Sequence, residues 1–271
     1  MFECVVNISE GRDRIVLDQL ALACGSSLRD LHSDQEHHRS VFTLIDEPSA
    51  LARSVRALID ASFERLDLRR HEGIHPRFGV VDVVPFVALD TAQRDAARAL
   101  RDETGQWIAD SYDVPVFYYG PLDGTLRTLP EVRRLAFRIL EPDAGPDETS
   151  ERLGAVAVGE RAVMLAWNLW LSGTSIERAR ELAAAVRQES VRALGFSVRD
   201  QVQVSCNLID PLNVGPDVVY DEVARLLGGV ERIEHAELVG LCPRAVLEAL
   251  DPGRWRALGL SEATTIEARL G

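Results

Sequence analysis

The sequence predicts an α+β protein built as two β-α-β-β-α-β units in tandem. Three observations predict it. Short apolar runs alternate with segments of helical periodicity, in the same order, on both sides of residues 91–160. A stretch within that region, 141–154, carries Pro142, Gly145, Pro146 and Gly154 among charges and reads as a linker. The 271 residues allow one large domain or two small ones, and the repeated order favours two.

The first unit opens with the strand Glu3 to Ile8. The loop Ser9-Glu10-Gly11-Arg12-Asp13 leads into a helix whose stripe is Ile15, Leu17, Leu20 and Ala21, ended by Gly25. Leu28 to His32 is a strand, Ser33 to His37 a polar turn, and Ser40 to Ile45 a third strand. Pro48 starts a helix to about Leu66, because proline suits the first turn and Leu51, Val55, Leu58 and Ile59 recur at helical spacing. Val80 to Leu89 is nearly all apolar, hence a buried strand. The region 91–140 departs from the pattern as a helix-strand-helix extension. Its helices are Thr91 to Ser111 and Leu129 to Leu140, and its strand from Val114 to Tyr119 carries Pro115 and is expected near an edge.

The order then returns. Val163 to Leu171 is a strand, Thr174 and Glu177 fit a capping box opening a helix to Val186, and Val191 to Val198 is a strand. Val202, Val204, Cys206 and Leu208 alternate as in a half-buried strand. Pro216 opens a helix, Ile233 to Leu241 is a strand, and Pro243 to Leu250 a short helix. The repeat implies an internal duplication of two ferredoxin-like (βαββαβ) subdomains, 1–155 and 156–271, with a ligand cleft between them. Leu44-Ile45-Asp46 and Leu208-Ile209-Asp210, and the strand-ending Asn7 and Asn168, are expected at matching places.

Charge and composition exclude several classes. A net charge of −13 argues against nucleic acid or an anionic membrane as partner. No apolar run approaches the ~18 residues of a spanning helix. Met1-Phe2-Glu3-Cys4 lacks the basic and apolar regions of a secretory leader, and the four scattered cysteines form no C-x-x-C pair, so a reducing, cytoplasmic location is expected. All 30 basic residues are arginine, so an anionic substrate would be held by guanidinium groups, which grip carboxylates bidentately.

The densest chemistry lies in His71-Glu72-Gly73-Ile74-His75-Pro76-Arg77-Phe78-Gly79, which runs into the strand carrying Asp82. Its first five residues fit H-E-x-x-H, a zinc pattern that needs both histidines on one helix face. Gly73 inside the pattern and Pro76 after it oppose a helix, so the stretch reads as a loop and no metal is expected.

Three segments carry a resemblance. Glu3 to Arg12 resembles E-C-V-P-N-F-S-E-G. Asp30 with His38-Arg39-Ser40-Val41 resembles D-x-D followed by (H/N)-R-S-V. Arg70 to Gly79 with Asp82, Pro85 and Phe86 resembles R-H-x-G-E-H-P-R-M-G-A-x-D-V-x-P-F. These are similar to the glutamate formimidoyltransferases, the formiminotransferase part of formimidoyltransferase-cyclodeaminase. The resemblance implies two ferredoxin-like subdomains and transfer of a formimidoyl group from N-formimidoyl-L-glutamate to tetrahydrofolate. It puts the general acid/base role on His75 and a folate loop on Gly145, Pro146 and Gly154. His32 and Asn168 are further implied contacts, small-molecule substrates the implied partners, and a homodimer the expected assembly.

The residues leave alternatives beside these roles. Asp82 either orients His75 or offsets charge on the substrate, or else pairs with Arg77. Arg39 and Arg77 either hold substrate carboxylates or are structural. The loop from Gly145 is either a folate cover or a plain linker. Departures concentrate at substrate-contacting positions: Ile74 for a glutamate, His32 for an acid, Trp170 for an asparagine, Leu153 for an aromatic, and Arg134-Leu135-Ala136-Phe137 for G-E-(Y/F)-E. The chemistry class therefore stands closer to the pattern than the donor does. An altered donor, or a folate- or anion-binding protein without turnover, is the alternative.

Overall fold

The computed structural model describes residues 1–73 and 77–271. Strand β1 (Phe2–Ile8) sits inside a seven-stranded sheet, with β3 (Arg39–Asp46) and β4 (Val81–Ala88) antiparallel on its two sides. Beyond β3 lies β2 (Leu28–Asp34). Beyond β4, β7 (Val156–Glu160) and β5 (Val116–Leu122) add in parallel, and β6 (Thr125–Arg127) closes the edge. The order is β2-β3-β1-β4-β7-β5-β6. These elements and helices α1 (Arg14–Ala23), α2 (Pro48–Arg65), α3 (Arg94–Tyr112) and α4 (Leu129–Leu135) make up one compact unit, Met1–Ala162.

Local chemistry explains the helices. The Asp13 carboxylate accepts from the Ile15 and Val16 amides and caps α1. Pro48 stands in the first turn of α2, which buries Leu51, Val55, Leu58, Ile59 and Phe63. Cys4, Val6, Ile8, Phe42, Leu44, Val84 and Phe86 meet these side chains in one core, so strand alternation sends Val5, Asn7, Val41 and Thr43 to the opposite face. There Val83, Phe117, Tyr119, Ala157 and Val132 of α4 form a smaller cluster.

The second unit, Val163–Gly271, holds β8 (Leu165–Leu171), α5 (Ile176–Val186), β9 (Val191–Val198), β10 (Gln201–Leu208), α6 (Pro216–Leu227), β11 (Ile233–Val239), α7 (Arg244–Glu248) and α8 (Ile266–Leu270). Its four strands are ordered β11-β8-β10-β9 and pack Trp167, Leu169, Val204 and Cys206 on Leu182, Val219 and Val223. The protein is thus a mixed α and β chain with two sheets, consistent with α+β.

Several elements differ from expectation. The expected linker ends at Gly154 and no element is expected directly after it, yet Ala155, Val156, Ala157 and Val158 are buried, and β7 lies between β4 and β5. The compact unit accordingly runs past residue 155 to Ala162. Asp123 and Gly124, both at positive φ, make the tight turn that adds β6 beside β5. Helix α4 stops at Leu135, not Leu140, because Ala136 already leaves the helical region with a ψ of 136°, and Phe137 follows at a left-handed φ of 57°. Ser175, not Thr174, caps α5, its hydroxyl accepting from the Arg178 amide. The paired tripeptides fall out of step: Leu44-Ile45-Asp46 ends β3, whereas β10 ends at Leu208. Asn7 is next to last in β1, while Asn168 lies in the middle of β8.

Candidate active site

Asp82 owes its position to an irregularity in β4. Asn7 pairs with Val83 but Ile8 pairs with Val81, so β4 carries one extra residue there, and that residue is Asp82. Such a bulge re-aims one side chain. The Asp82 carboxylate is fully buried. One oxygen accepts from Arg39 Nη1 and from Arg133 Nη2 at 2.6 Å, and the other from the Phe78 amide at 2.7 Å. Arg39 reaches onward, donating from Nη2 to Asn7 Oδ1 at 2.7 Å. Burial works to raise the Asp82 pKa, but the two guanidinium groups outweigh it and hold the carboxyl below its ordinary value. Burial likewise lowers Arg39, against the opposing pull of Asp82.

The Asp82–Arg77 pair is therefore not formed. Arg77 instead donates to the carbonyls of His71 at 3.0 Å and Gly73 at 3.4 Å, tying the two arms of the histidine loop together. His75 itself lies outside the described residues, with Ile74 and Pro76. The arm before it has no helical backbone: His71, Glu72 and Gly73 lie outside helix and strand. Among the described residues no group of three or more metal-ligating side chains assembles.

The arm lies on the β2–β3 turn. His71 and His38 stack with ring centroids 4.1 Å apart. Gly73 fits there because a Cβ would stand 2.6 Å from the His37 carbonyl oxygen. His71 Nε2 is 2.8 Å from the His38 carbonyl oxygen, and burial lowers the His71 pKa. His38 is placed 2.9 Å by Nδ1 from the Glu72 carbonyl oxygen and 3.2 Å by Nε2 from Glu10 Oε1. That same Glu10 oxygen accepts from the amides of Gly11, Arg12 and Asp13. A cavity of about 260 Å³ opens beside this pair, lined by Ser9, Glu10, His38, Leu66, Arg70 and His71 among others.

The other arm is held by glycine. Gly79 pairs with Gly154, the Val80 amide donates to the Leu153 carbonyl at 2.8 Å, and the Ala155 amide donates to the Phe78 carbonyl at 3.0 Å. So the structure brings Gly154 to the histidine loop. Gly145 sits elsewhere, at a φ of 84° against the Val114 carbonyl, and Pro146 beside it is half-buried. His32 shares a register row with Val41 and Asn7, on the face that carries Arg39 and Asp82.

In the second unit Asn168 is buried mid-strand. Asn168 Nδ2 and Trp170 Nε1 both donate to Glu237 Oε2, at 3.1 and 3.0 Å, and Trp170 stacks on His235.

Sequence reasoning missed Arg133, Glu237 and the roles of Glu10 and His38. For Arg133 only the helix was legible: Thr128 and Glu131 form the capping box that starts α4 and Val132 faces the small core, but nothing local marks Asp82 as the partner of Arg133. Glu237 had no local signal.

Residues 1–161 match the family described as formiminotransferase domain, N-terminal subdomain. That match makes the chain one of a class of transferase enzymes. The chain belongs to the formiminotransferase family. It is similar to a glutamate formimidoyltransferase of Thermoplasma acidophilum, 30% identical over all of this chain and 97% of the relative. A glutamate formimidoyltransferase of Streptococcus pyogenes serotype M1 is also 30% identical, over 90% of each chain. The formimidoyltransferase-cyclodeaminase of Sus scrofa is 30% identical over 92% of this chain, which spans 51% of that longer protein. No helix among the described residues is long and apolar enough to cross a membrane.

Proposed function

We propose that the chain transfers the formimidoyl group of N-formimidoyl-L-glutamate to tetrahydrofolate, giving 5-formimidoyltetrahydrofolate and glutamate. The observation that carries the proposal is the likeness to glutamate formimidoyltransferases along the whole chain, with the histidine loop set against the Asp82 cluster. In the reaction a folate nitrogen attacks the formimidoyl carbon, one C–N bond forms, and the bond to the glutamate nitrogen breaks. The incoming nitrogen loses a proton and the outgoing one gains it. His75 is the proposed carrier of that proton, since an imidazole titrates near neutrality. Arg39 and Arg77 are the proposed holders of substrate carboxylates, with Asp82 fixing Arg39 in place. Gly145, Pro146 and Gly154 shape the proposed folate loop, and His32 and Asn168 are proposed contacts.

The fold reading that accompanies it is a duplication of ferredoxin-like subdomains, the first carrying the 91–140 extension. It is supported by the order β2-β3-β1-β4 in one unit against β9-β10-β8-β11 in the other. A cytoplasmic homodimer completes the proposal; the four free, buried cysteines suit a reducing compartment.

The test is turnover of N-formimidoyl-L-glutamate and tetrahydrofolate by the purified protein. Product formation is expected, and His75→Ala should lower kcat by roughly 10²–10⁴-fold. Absence of product with the wild type, or full activity in the variant, would count against it. One observation favours a changed donor as the second reading: Trp170 donates to Glu237 at a position where the resemblance expects an asparagine.

A further inference from the structure

We propose that Arg133 is a positioning residue of the reaction, setting the second arm of the histidine loop through Asp82. The inference rests on the proposed function, in which that loop carries the chemistry. Arg133 Nη2 donates to Asp82 Oδ2 at 2.6 Å, and Asp82 Oδ1 accepts from the Phe78 amide at 2.7 Å. Phe78 directly follows Arg77, which donates to the carbonyls of His71 and Gly73. A shift of Phe78 therefore moves Arg77 and, with it, the tie between the two arms. The Phe78 carbonyl accepts from the Ala155 amide at 3.0 Å, so this residue joins the loop to the segment leading into β7.

Charge balance alone does not call for Arg133. Arg39 already puts a guanidinium on the same Asp82 oxygen, and Asn7 Oδ1 accepts from Arg39 Nε at 3.1 Å and from Nη2 at 2.7 Å. A second guanidinium is repelled by the first, and that repulsion is one of the influences that lower the Arg39 pKa. What the second cation adds is direction. Asp82 is the extra residue of the β4 bulge, so strand pairing does not aim its carboxylate. Arg39 comes from β3 and Arg133 from α4, and both engage one oxygen, which turns the other towards Phe78.

Helix α4 holds the same residue a second way. Its capping box fixes where it starts, and the wholly buried Val132 fixes its rotation. Beyond Ala136 the chain folds back on itself, the Phe137 amide donating to the Leu140 carbonyl at 3.0 Å and the Leu140 amide to the Leu135 carbonyl at 3.1 Å. Phe137 takes its φ of 57° in this turn, a costly conformation for a bulky side chain. Its ring lies 6.1 Å from that of Phe78 and 5.0 Å from that of Phe117, which in turn meets Phe78 edge to face at 5.3 Å. One short helix and its trailing turn thus grip Phe78 by its backbone and by its ring.

Arg133→Met keeps the length of the side chain and removes its charge. Asp82 keeps Arg39, so the loss of stability should be smaller than in Asp82→Asn. The Phe78 amide of the wild-type protein should exchange with deuterium about a hundredfold slower than an unbonded loop amide, and about tenfold faster in Arg133→Met than in the wild type. With N-formimidoyl-L-glutamate and tetrahydrofolate, kcat of Arg133→Met should fall about 10- to 100-fold while both KM values stay within about twofold. Arg133→Lys keeps a cation on the Asp82 oxygen and should recover most of both losses. An arginine with a purely structural role would lower the unfolding temperature and leave kcat of the folded variant unchanged. That result, or unchanged exchange at Phe78, would overturn the inference. So would a wild-type Phe78 amide that exchanges freely, a reading that needs no variant to fold. Failure of the proposed function shows separately, as absent turnover in the wild type with the exchange difference intact.

Discussion

Asp82 is a buried anion between two cations, and its energetics set what can be changed there. Removing a buried charge's partner usually costs more than the pair contributes, because the survivor stays desolvated. Asp82→Asn leaves Arg39 and Arg133 facing a neutral amide, so a loss of about 3–5 kcal/mol in urea unfolding at neutral pH is expected. The pH dependence has a definite sign. The folded-state pKa of Asp82 is held down, so its contribution is present above the unfolded carboxylate pKa and disappears as pH falls through the folded value. The gap between wild type and variant should therefore narrow in acid; a gap that stays constant down to low pH would mean the guanidinium groups do not stabilise the carboxylate. Asp82 and Arg39 were both legible as polar residues on apolar strands. Their pairing was not, because a bulge is invisible to a two-residue period: the same letters predict Asp82 on the helix-packed face unless one residue is skipped.

At the scale of elements, the crossing of the 79–80 and 153–155 segments holds the far arm of the histidine loop. A Cβ on Gly154 would stand 2.5 Å from the Gly79 Cα, and Gly154 has a φ of 76°. Gly154→Ala should cost about 1–3 kcal/mol and lower kcat, since both backbones must move. Gly124→Ala is the control: its φ is 81° but nothing lies within 4 Å of the added methyl group, so stability alone should drop, by about 1 kcal/mol. Equal losses of activity in the two variants would remove the case for the crossing. Elements with a long periodic face were legible: α2 buries the stripe its spacing marks, and β4 is buried along its whole length. Short elements were not. β7 has only five residues and follows a Pro/Gly-rich stretch, and its apolar run earns strand status only by lying between β4 and β5.

The whole molecule consists of two units, and every strand of each sheet comes from within its own unit. Each has a separate apolar core, one around Phe42, Phe63 and Phe86 and one around Trp167, Leu169 and Val204. Fragments 1–162 and 163–271 should each unfold cooperatively on heating, followed by circular dichroism; a fragment without a transition would show that its core is insufficient alone. By itself the sequence determined the long elements and the non-helical backbone of His71 to Gly73, because periodicity, a first-turn proline and a glycine's conflict with a helix all act over a few neighbours, while the chemistry class came from the resemblance of its motifs. Only the tertiary structure decided that Asp82 meets Arg39 and Arg133 and that His38 stacks on His71. Those partners stand tens of residues apart, and desolvation and bulge geometry, not local propensity, choose between them.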